Sequence, residues 1–220
     1  MATGGREIEV KLHIADINEL RAKLRKLGAK PAPRVFERNI LYDTPASELR
    51  ETGRLLRIRI ETPASDRRQP TSESKAARSA RSHSHARGIL TYKAPISSGI
   101  KDSLSSRYKQ KAEIEIEFHP AENLETILAG VGFRPGFRYE KFRTKYRLRR
   151  FPDLHLDLDE TPLGIYLELE GSPPAIDRAA FLLGFPPEEY ITASYWELHV
   201  ADARGRNVTP GDLLFKNRKK

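Results

Sequence analysis

Glu7-Ile8-Glu9-Val10-Lys11-Leu12 is the stretch that decides the fold. Side chains on a strand point alternately to opposite faces, so this run sets Glu7, Glu9 and Lys11 on one face and Ile8, Val10 and Leu12 on the other. The same alternation returns in Glu113-Ile114-Glu115-Ile116-Glu117-Phe118, in Leu154-His155-Leu156-Asp157-Leu158-Asp159 and in Leu167-Glu168-Leu169-Glu170. Any one such run reads most simply as a half-buried strand with a solvated charged face. Basic runs alternate as well: Leu56-Arg57-Ile58-Arg59-Ile60, Leu90-Thr91-Tyr92-Lys93, and the longer Lys141-Phe142-Arg143-Thr144-Lys145-Tyr146-Arg147-Leu148-Arg149. Carboxylate rows and cationic rows on strands of one sheet describe a polar surface built to hold something charged.

Further strands are predicted at Phe36–Tyr42, ahead of the Asp43-Thr44-Pro45 turn, and within Leu55–Ile60, Leu90–Lys93, Tyr139–Arg150 and Leu154–Asp159. With the runs at Glu7, Glu113 and Leu167 these make eight, enough to close an antiparallel barrel with a narrow lumen. Helices follow three of the acidic strands. Asp16 and Glu19 form a capping pair ahead of the apolar stripe Ile17, Leu20, Leu24 and Leu27, which ends at Gly28. A second helix runs from Pro120 to Val131 with Leu124, Ile127, Leu128 and Val131 as its stripe. A third opens at Ser172-Pro173 and ends at Leu183-Gly184, and a last one covers Ser194 to Ala203. The aliphatic faces need the helices and the charged faces need a partner. The expected fold is therefore α+β: an eight-stranded antiparallel closed β-barrel, a tunnel with a charged lumen, and helices packed outside. So many buried carboxylates require water, basic side chains, metal ions or a mixture of these.

The net charge of +9 raises the question of nucleic acid. Most of the excess falls in two segments. Residues 62–88 carry Arg67, Arg68, Lys75, Arg78, Arg81 and Arg87 against Asp66 and Glu73, and the end of the chain carries Lys216, Arg218, Lys219 and Lys220. The remainder is close to neutral, so nucleic acid is not expected as the main partner. Residues 62–88 are rich in Ser, Arg, Ala and His without periodicity and read as a disordered insertion; His83 and His85 in it read as solvated. The predicted organisation is one tunnel domain over 1–205 and a basic tail over 206–220. The chain has no cysteine, which excludes disulfides and thiolate metal sites. No apolar run reaches bilayer-spanning length and no signal peptide precedes the first strand, so a cytoplasmic monomer or homodimer without a membrane partner is expected.

Opposite-sign rows facing one another could neutralise each other as structural ion pairs. The functional alternative is a polyanion held by the basic row, with divalent cations bridging it to the acidic row. Hard cations take carboxylate and phosphate oxygens, and Arg presents a fork matched to phosphate. No glycine-rich phosphate loop is present, so side chains would make the grip. Glu7-Ile8-Glu9-Val10-Lys11 resembles the ExExK signature of the CYTH superfamily, the triphosphate tunnel metalloenzymes. Leu41-Tyr42-Asp43-Thr44, Leu56-Arg57-Ile58-Arg59, Leu90-Thr91-Tyr92-Lys93, Glu113-Ile114-Glu115, Lys141-Phe142-Arg143 and the segment Leu158–Gly171 follow in the same order as in that family.

That resemblance implies the same tunnel and a small triphosphate substrate, with Mg²⁺ or Mn²⁺ as cofactor. It implies that Glu7, Glu9 and Glu170, joined by Glu168 and Asp159, hold the divalent ions. It implies a catalytic group of Glu7, Glu9, Lys11, Asp159 and Glu168. The implied substrate-binding lining is Lys11, Arg57, Arg59, Lys93, Lys141 and Arg143, with Glu113 and Glu115 beside them. The expected activity is metal-dependent hydrolysis of inorganic triphosphate or a small organic triphosphate. Alternatives are a class IV-type adenylyl cyclase forming cyclic AMP and diphosphate, or a non-catalytic polyphosphate- or nucleotide-binding module. The class IV cyclases carry a His-Phe element where this chain has Arg38-Asn39-Ile40-Leu41, which favours the hydrolase. Some members carry a lysine where this chain has Ala193. Trp196 reads as packed against the barrel. His155, in phase with Asp157 and Asp159, is the histidine expected to face the lumen.

Overall fold

Strand β1 (Thr3–Ile14) is the hinge of the topology, pairing antiparallel with β6 (Lys109–Phe118) on one side and β9 (Gly164–Glu170) on the other. The computed structural model describes residues 3–67, 86–96, 107–119 and 121–216. Between those partners run β3 (Val35–Asp43), β4 (Leu55–Pro63), β5 (Arg87–Ala94), β7 (Arg134–Leu148) and β8 (Phe151–Thr161). The order β7-β3-β4-β5-β6-β1-β9-β8 closes on itself through a β7–β8 pairing, giving an eight-stranded antiparallel barrel. A two-residue strand, β2 (Lys30–Pro31), adds to the outside register of β7 at Tyr146 and Arg147.

The alternation of the sequence becomes an inside and an outside. Val10, Leu12, Leu156, Leu158, Leu167 and Leu169 all point outward and are fully buried under helices. The helices over them are α1 (Ile17–Lys26), which contributes Leu20 and Leu24, and α4 (Pro173–Leu183), which contributes Ile176, Ala180 and Leu183. Each such aliphatic side chain removed from water stabilises the fold by about 1.5–3 kcal/mol. Asp16 caps α1 by accepting from the N–H groups of Asn18 at 2.7 Å and Glu19 at 3.3 Å. A one-turn helix, α2 (Glu48–Glu51), follows β3, and helix α3 (Ala121–Gly130) covers Tyr42 and Ile58 with Leu128. Its predicted stripe is too wide, for Ile127 and Val131 are 59% and 66% exposed. At the entrance of β5 the backbone passes so close beneath Phe118 that a Cβ on Gly88 would stand 2.9 Å from its ring.

Two segments differ from the sequence reading. The ends of the 62–88 stretch belong to the sheet and its flank: β4 runs to Pro63, a single 3-10 turn covers Ala64–Arg67, and β5 begins at Arg87. The rest of the predicted insertion, 68–85, lies outside the described residues. Beyond α5 (Tyr195–Gly205), Asp212, Leu213 and Phe215 lie along β7. The N–H of Leu213 donates to the carbonyl of Arg138 at 2.8 Å, the N–H of Glu140 donates to Leu213 at 3.0 Å, and the rings of Phe215 and Phe142 lie 5.4 Å apart. Among the described residues no helix is long and apolar enough to cross a membrane.

Candidate active site in the tunnel

The barrel encloses a cavity of about 480 Å³ lined mainly by charged side chains. Every site residue expected from the sequence points into it except Asp159, which lies fully buried behind the wall against Lys141 and Arg143. Strand registers explain the convergence. Glu9 stands opposite Glu170 and Lys11 opposite Glu168, Lys93 opposite Glu113, and Arg143 opposite Asp159.

The structure divides these residues into three groups. In the first, carboxylate oxygens of Glu7, Glu113 and Glu170 all lie within 4.8 Å of one another. Lys93 Nζ donates to Glu7 Oε1 at 2.6 Å and stands 3.1 Å from Glu113. Glu170 makes no hydrogen bond or ion pair among the described residues; burial, then Glu7 and Glu113, push its carboxyl up to about 8. Burial and the neighbouring Glu9 raise Glu7 in the same direction. Three clustered carboxyls short of cations are the donor set a hard divalent ion takes, so the residues fit such an ion.

In the second group Lys11 links Glu9 at 2.9 Å to Glu168 at 3.3 Å, and Lys109 Nζ reaches the same Glu9 oxygen at 2.6 Å. Burial acts to raise Glu9, but Lys11, Lys109 and Lys93 outweigh it and hold the carboxyl well below its usual range. Burial alone would likewise lower Lys11, and Glu9 and Glu168 hold it charged instead.

The third group is the cationic floor. Arg143 forks onto Asp159 with both contacts at 2.6 Å, reaches Asp157 at 2.6 Å and touches Glu168. Lys141 donates to Asp159 at 2.7 Å. Tyr195 also donates to that carboxylate at 2.7 Å, and its ring lies beneath Lys11 and Lys141 at 5.4 and 5.2 Å. Arg57 donates to the hydroxyls of Tyr139 at 3.1 Å and Thr91 at 3.2 Å, and Arg59 to Glu115 at 2.8 Å. Despite burial, Arg57 and Lys141 lower the Tyr139 hydroxyl below its ordinary value. His155 also lines the cavity.

Sequence reasoning missed several groups. Glu37 is fully buried, within 3.6–3.7 Å of Lys141, Arg143 and Arg59. Tyr139 and Lys109 also line the cavity, and Asn39 and Thr91 are buried outside its lining. Lys109 and Lys111 share the parity of Glu113, so extending that alternating run backward finds both. Nothing in the sequence of β3 marks Glu37.

A closed antiparallel tunnel with carboxylates gathered at one place and guanidinium and ammonium groups around them defines a polyanion-handling barrel. Residues 5–193 match the CYTH domain, and the chain belongs to the CYTH family. Members of this family are triphosphate-processing, divalent-metal-dependent enzymes. The chain is 28% identical over 167 residues, 76% of its own length and 77% of the relative's, to a Methanocaldococcus jannaschii protein provisionally named an adenylate cyclase. The fold is shared with a Pyrococcus horikoshii protein, at 22% identity and TM-score 0.65, covering 89% of this chain and 99% of the other. It is shared too with a Hippeastrum protein provisionally named an adenylyl cyclase and described as having a dominant triphosphatase activity. There the identity is 20%, the TM-score 0.54, and the coverage 93% of this chain and 98% of that one.

Proposed function

We propose that the protein is a divalent-metal-dependent triphosphatase that hydrolyses inorganic triphosphate or a small organic triphosphate inside the tunnel. The observation that carries this reading is the Glu7, Glu113 and Glu170 group, short of cations, beside a wall of buried Lys and Arg. Glu7, Glu113 and Glu170 would hold the ion, with Glu9 next to them. Bound there, a divalent cation supplies charge neutralisation at the phosphates and lowers the pKa of a water.

The chain's own groups do the rest. Arg57, Arg59, Lys93, Lys141 and Arg143 each rest on a carboxylate or hydroxyl of the tunnel wall, which fixes their direction before any ligand enters. Such pre-set donors stabilise developing charge without reorganising during the reaction. Phosphate oxygens then take the places of wall carboxylates on these cations. Water adds to the terminal phosphorus, the bond to the bridging oxygen breaks, and phosphate and the shortened chain leave.

Adenylyl cyclisation is a second reading, favoured by the name of the archaeal relative. One assay separates them: purified protein with a panel of triphosphates and Mg²⁺ or Mn²⁺, with phosphate, diphosphate and cyclic nucleotide resolved. Phosphate release supports hydrolysis. Diphosphate with cyclic AMP replaces it with cyclisation, and tight binding without turnover leaves a binding module.

A further inference from the structure

The barrel wall has a gap that the chain fills from a distant part of its sequence. β7 pairs with β8 from Phe142 onward, where Phe142 stands opposite Glu160, and β8 ends at Thr161. The stretch of β7 before Phe142 carries Tyr139 and Lys141, both lining the cavity. There β3 covers one edge of β7, and β8 has already turned away from the other. An edge left so would present unpaired N–H and C=O groups. Asp212 and Leu213 lie along it instead. Asp212 accepts from the N–H of Arg138 at 2.9 Å, and the N–H of Leu213 donates to the carbonyl of the same residue at 2.8 Å. The N–H of Glu140 donates to the carbonyl of Leu213 at 3.0 Å. Tyr139 stands between these two anchored residues, in a parallel bridge with Leu213.

The segment is itself fastened from several sides. His199 of α5 donates from Nε2 to the carbonyl of Gly211 at 2.9 Å, and the N–H of Phe215 donates to Glu140 Oε2 at 3.1 Å. Leu213 is buried among Phe137, Tyr139, Tyr166 and Tyr195, whereas Leu214 is 44% exposed, so one face of the segment is turned to the wall. Through Tyr139 it reaches the charged lining. The Tyr139 hydroxyl accepts from Arg57 at 3.1 Å. Among the described residues Arg57 has one other hydrogen bond, to Thr91 at 3.2 Å, so a displaced phenol leaves the guanidinium half of its support.

We infer that Gly211–Phe215 is a positioning element of the tunnel: by fixing Arg138 and Glu140 it sets the Tyr139 hydroxyl, which aims Arg57 into the cavity. The segment lies beyond residue 193, where the match to the CYTH domain ends. That Arg57 meets phosphate rests on the proposed function; the setting of Tyr139 does not.

A double-mutant cycle on the full-length protein tests this, read as affinity for inorganic triphosphate by titration calorimetry without metal. Asp212→Ala removes the acceptor for Arg138 and Leu213→Pro removes the donor to it, and either serves if the other fails to fold. Each of these, and Tyr139→Phe, is expected to weaken binding about tenfold, the scale of one hydrogen bond to a charged group. In the Tyr139→Phe background the segment variants should add no further loss, because they act through the phenol. Asp212→Asn keeps an acceptor and is expected to bind as wild type, as is Leu214→Ala. A second readout needs no ligand. Ionisation of Tyr139, isolated by ultraviolet difference absorbance against the matching Tyr139→Phe protein, should move to higher pH in Asp212→Ala as Arg57 ceases to favour the phenolate. Losses that add in the cycle, or a lowered Tm with affinity unchanged, overturn the inference and leave the segment a brace. If no version binds triphosphate, a shifted phenol upholds the positioning role and removes the triphosphatase reading, while an unshifted one overturns the inference.

Discussion

Glu37→Gln tests whether the tunnel's cations lean on a buried counter-charge that a substrate must replace. Glu37 is fully buried, with Lys141 Nζ and Arg143 Nε at 3.6 Å and Arg59 Nη1 at 3.7 Å. Among the described residues its Oε1 has no hydrogen-bond partner and its Oε2 accepts only from Asn39 at 3.5 Å, so it acts by charge more than by hydrogen-bond geometry. At these separations and an effective dielectric constant of about 20, each pairing contributes about 4–5 kcal/mol before desolvation is subtracted. Net of desolvation, removing one charge from such a buried group costs about 3–5 kcal/mol. For a chain of 220 residues that corresponds to a fall in Tm of about 10 °C. The released cations should then grip a polyanion harder, tightening triphosphate binding about tenfold, so that the ligand restores more Tm to the variant than to the wild type.

The acid side supplies a further check on the same variant. Despite burial, Lys141, Arg143 and Arg59 hold the Glu37 carboxyl far below its usual 4.5. Its contribution is therefore complete above that pH and lost as pH falls toward the folded value, so the Tm gap between the two proteins should narrow progressively as pH falls below about 4.5. Differential scanning fluorimetry and titration calorimetry, both without metal so that no turnover occurs, measure all three quantities. A variant that melts within 2 °C of wild type, with unchanged triphosphate affinity, refutes the argument.

Glu170 must release a proton to bind a divalent ion, so Mn²⁺ affinity measured by calorimetry is expected to rise by up to about tenfold per pH unit between pH 6 and 8 and to level off above. The metal-free fold should lose stability across the window from 4.5 to about 8, because the folded chain keeps a proton there that the unfolded chain has released. Arg143→Lys removes the fork onto Asp159 and the reach to Asp157, and is expected to lower kcat/KM for any triphosphate at least tenfold; retention of most activity would mean that a point charge suffices.

The barrel was legible because the rule that makes a strand two-faced also sorts charge from aliphatic carbon. Val10 and Leu12 lie buried outside while Glu9 and Lys11 face in, as the alternation of β1 requires. β3 hid its contribution because both of its rows are mixed. Arg38 is exposed on the outer row, where apolar residues were expected, and Leu41 interrupts the inner row of Glu37 and Asn39. A register shift between Leu41 and Tyr42 disturbs the period further. α3 failed in the opposite sense. Helical spacing groups Ile127 and Val131 with Leu128, but the sheet beneath reaches only far enough to bury the last of these. Ion-pair partners are invisible to parity altogether, because closure, not sequence distance, brings Arg59 to Glu115 and Arg143 to Glu168.

The position of β1 also sets when the tunnel comes into being. Made first, it pairs with β6 near residue 110 and with β9 near residue 168, whereas β3 with β4 and β7 with β8 are neighbours joined locally. Loop closure over such separations is slow, and strands with distant partners wait for them. During synthesis Glu7 and Glu9 therefore travel for more than a hundred residues with no wall to face. The last strand to emerge, β9, brings Glu168 and Glu170 with it and shuts the cylinder in the same event. Truncated or nicked chains lacking β9 would possess most of the sheet and none of the chamber, so catalytic competence should appear late and all at once as the chain refolds.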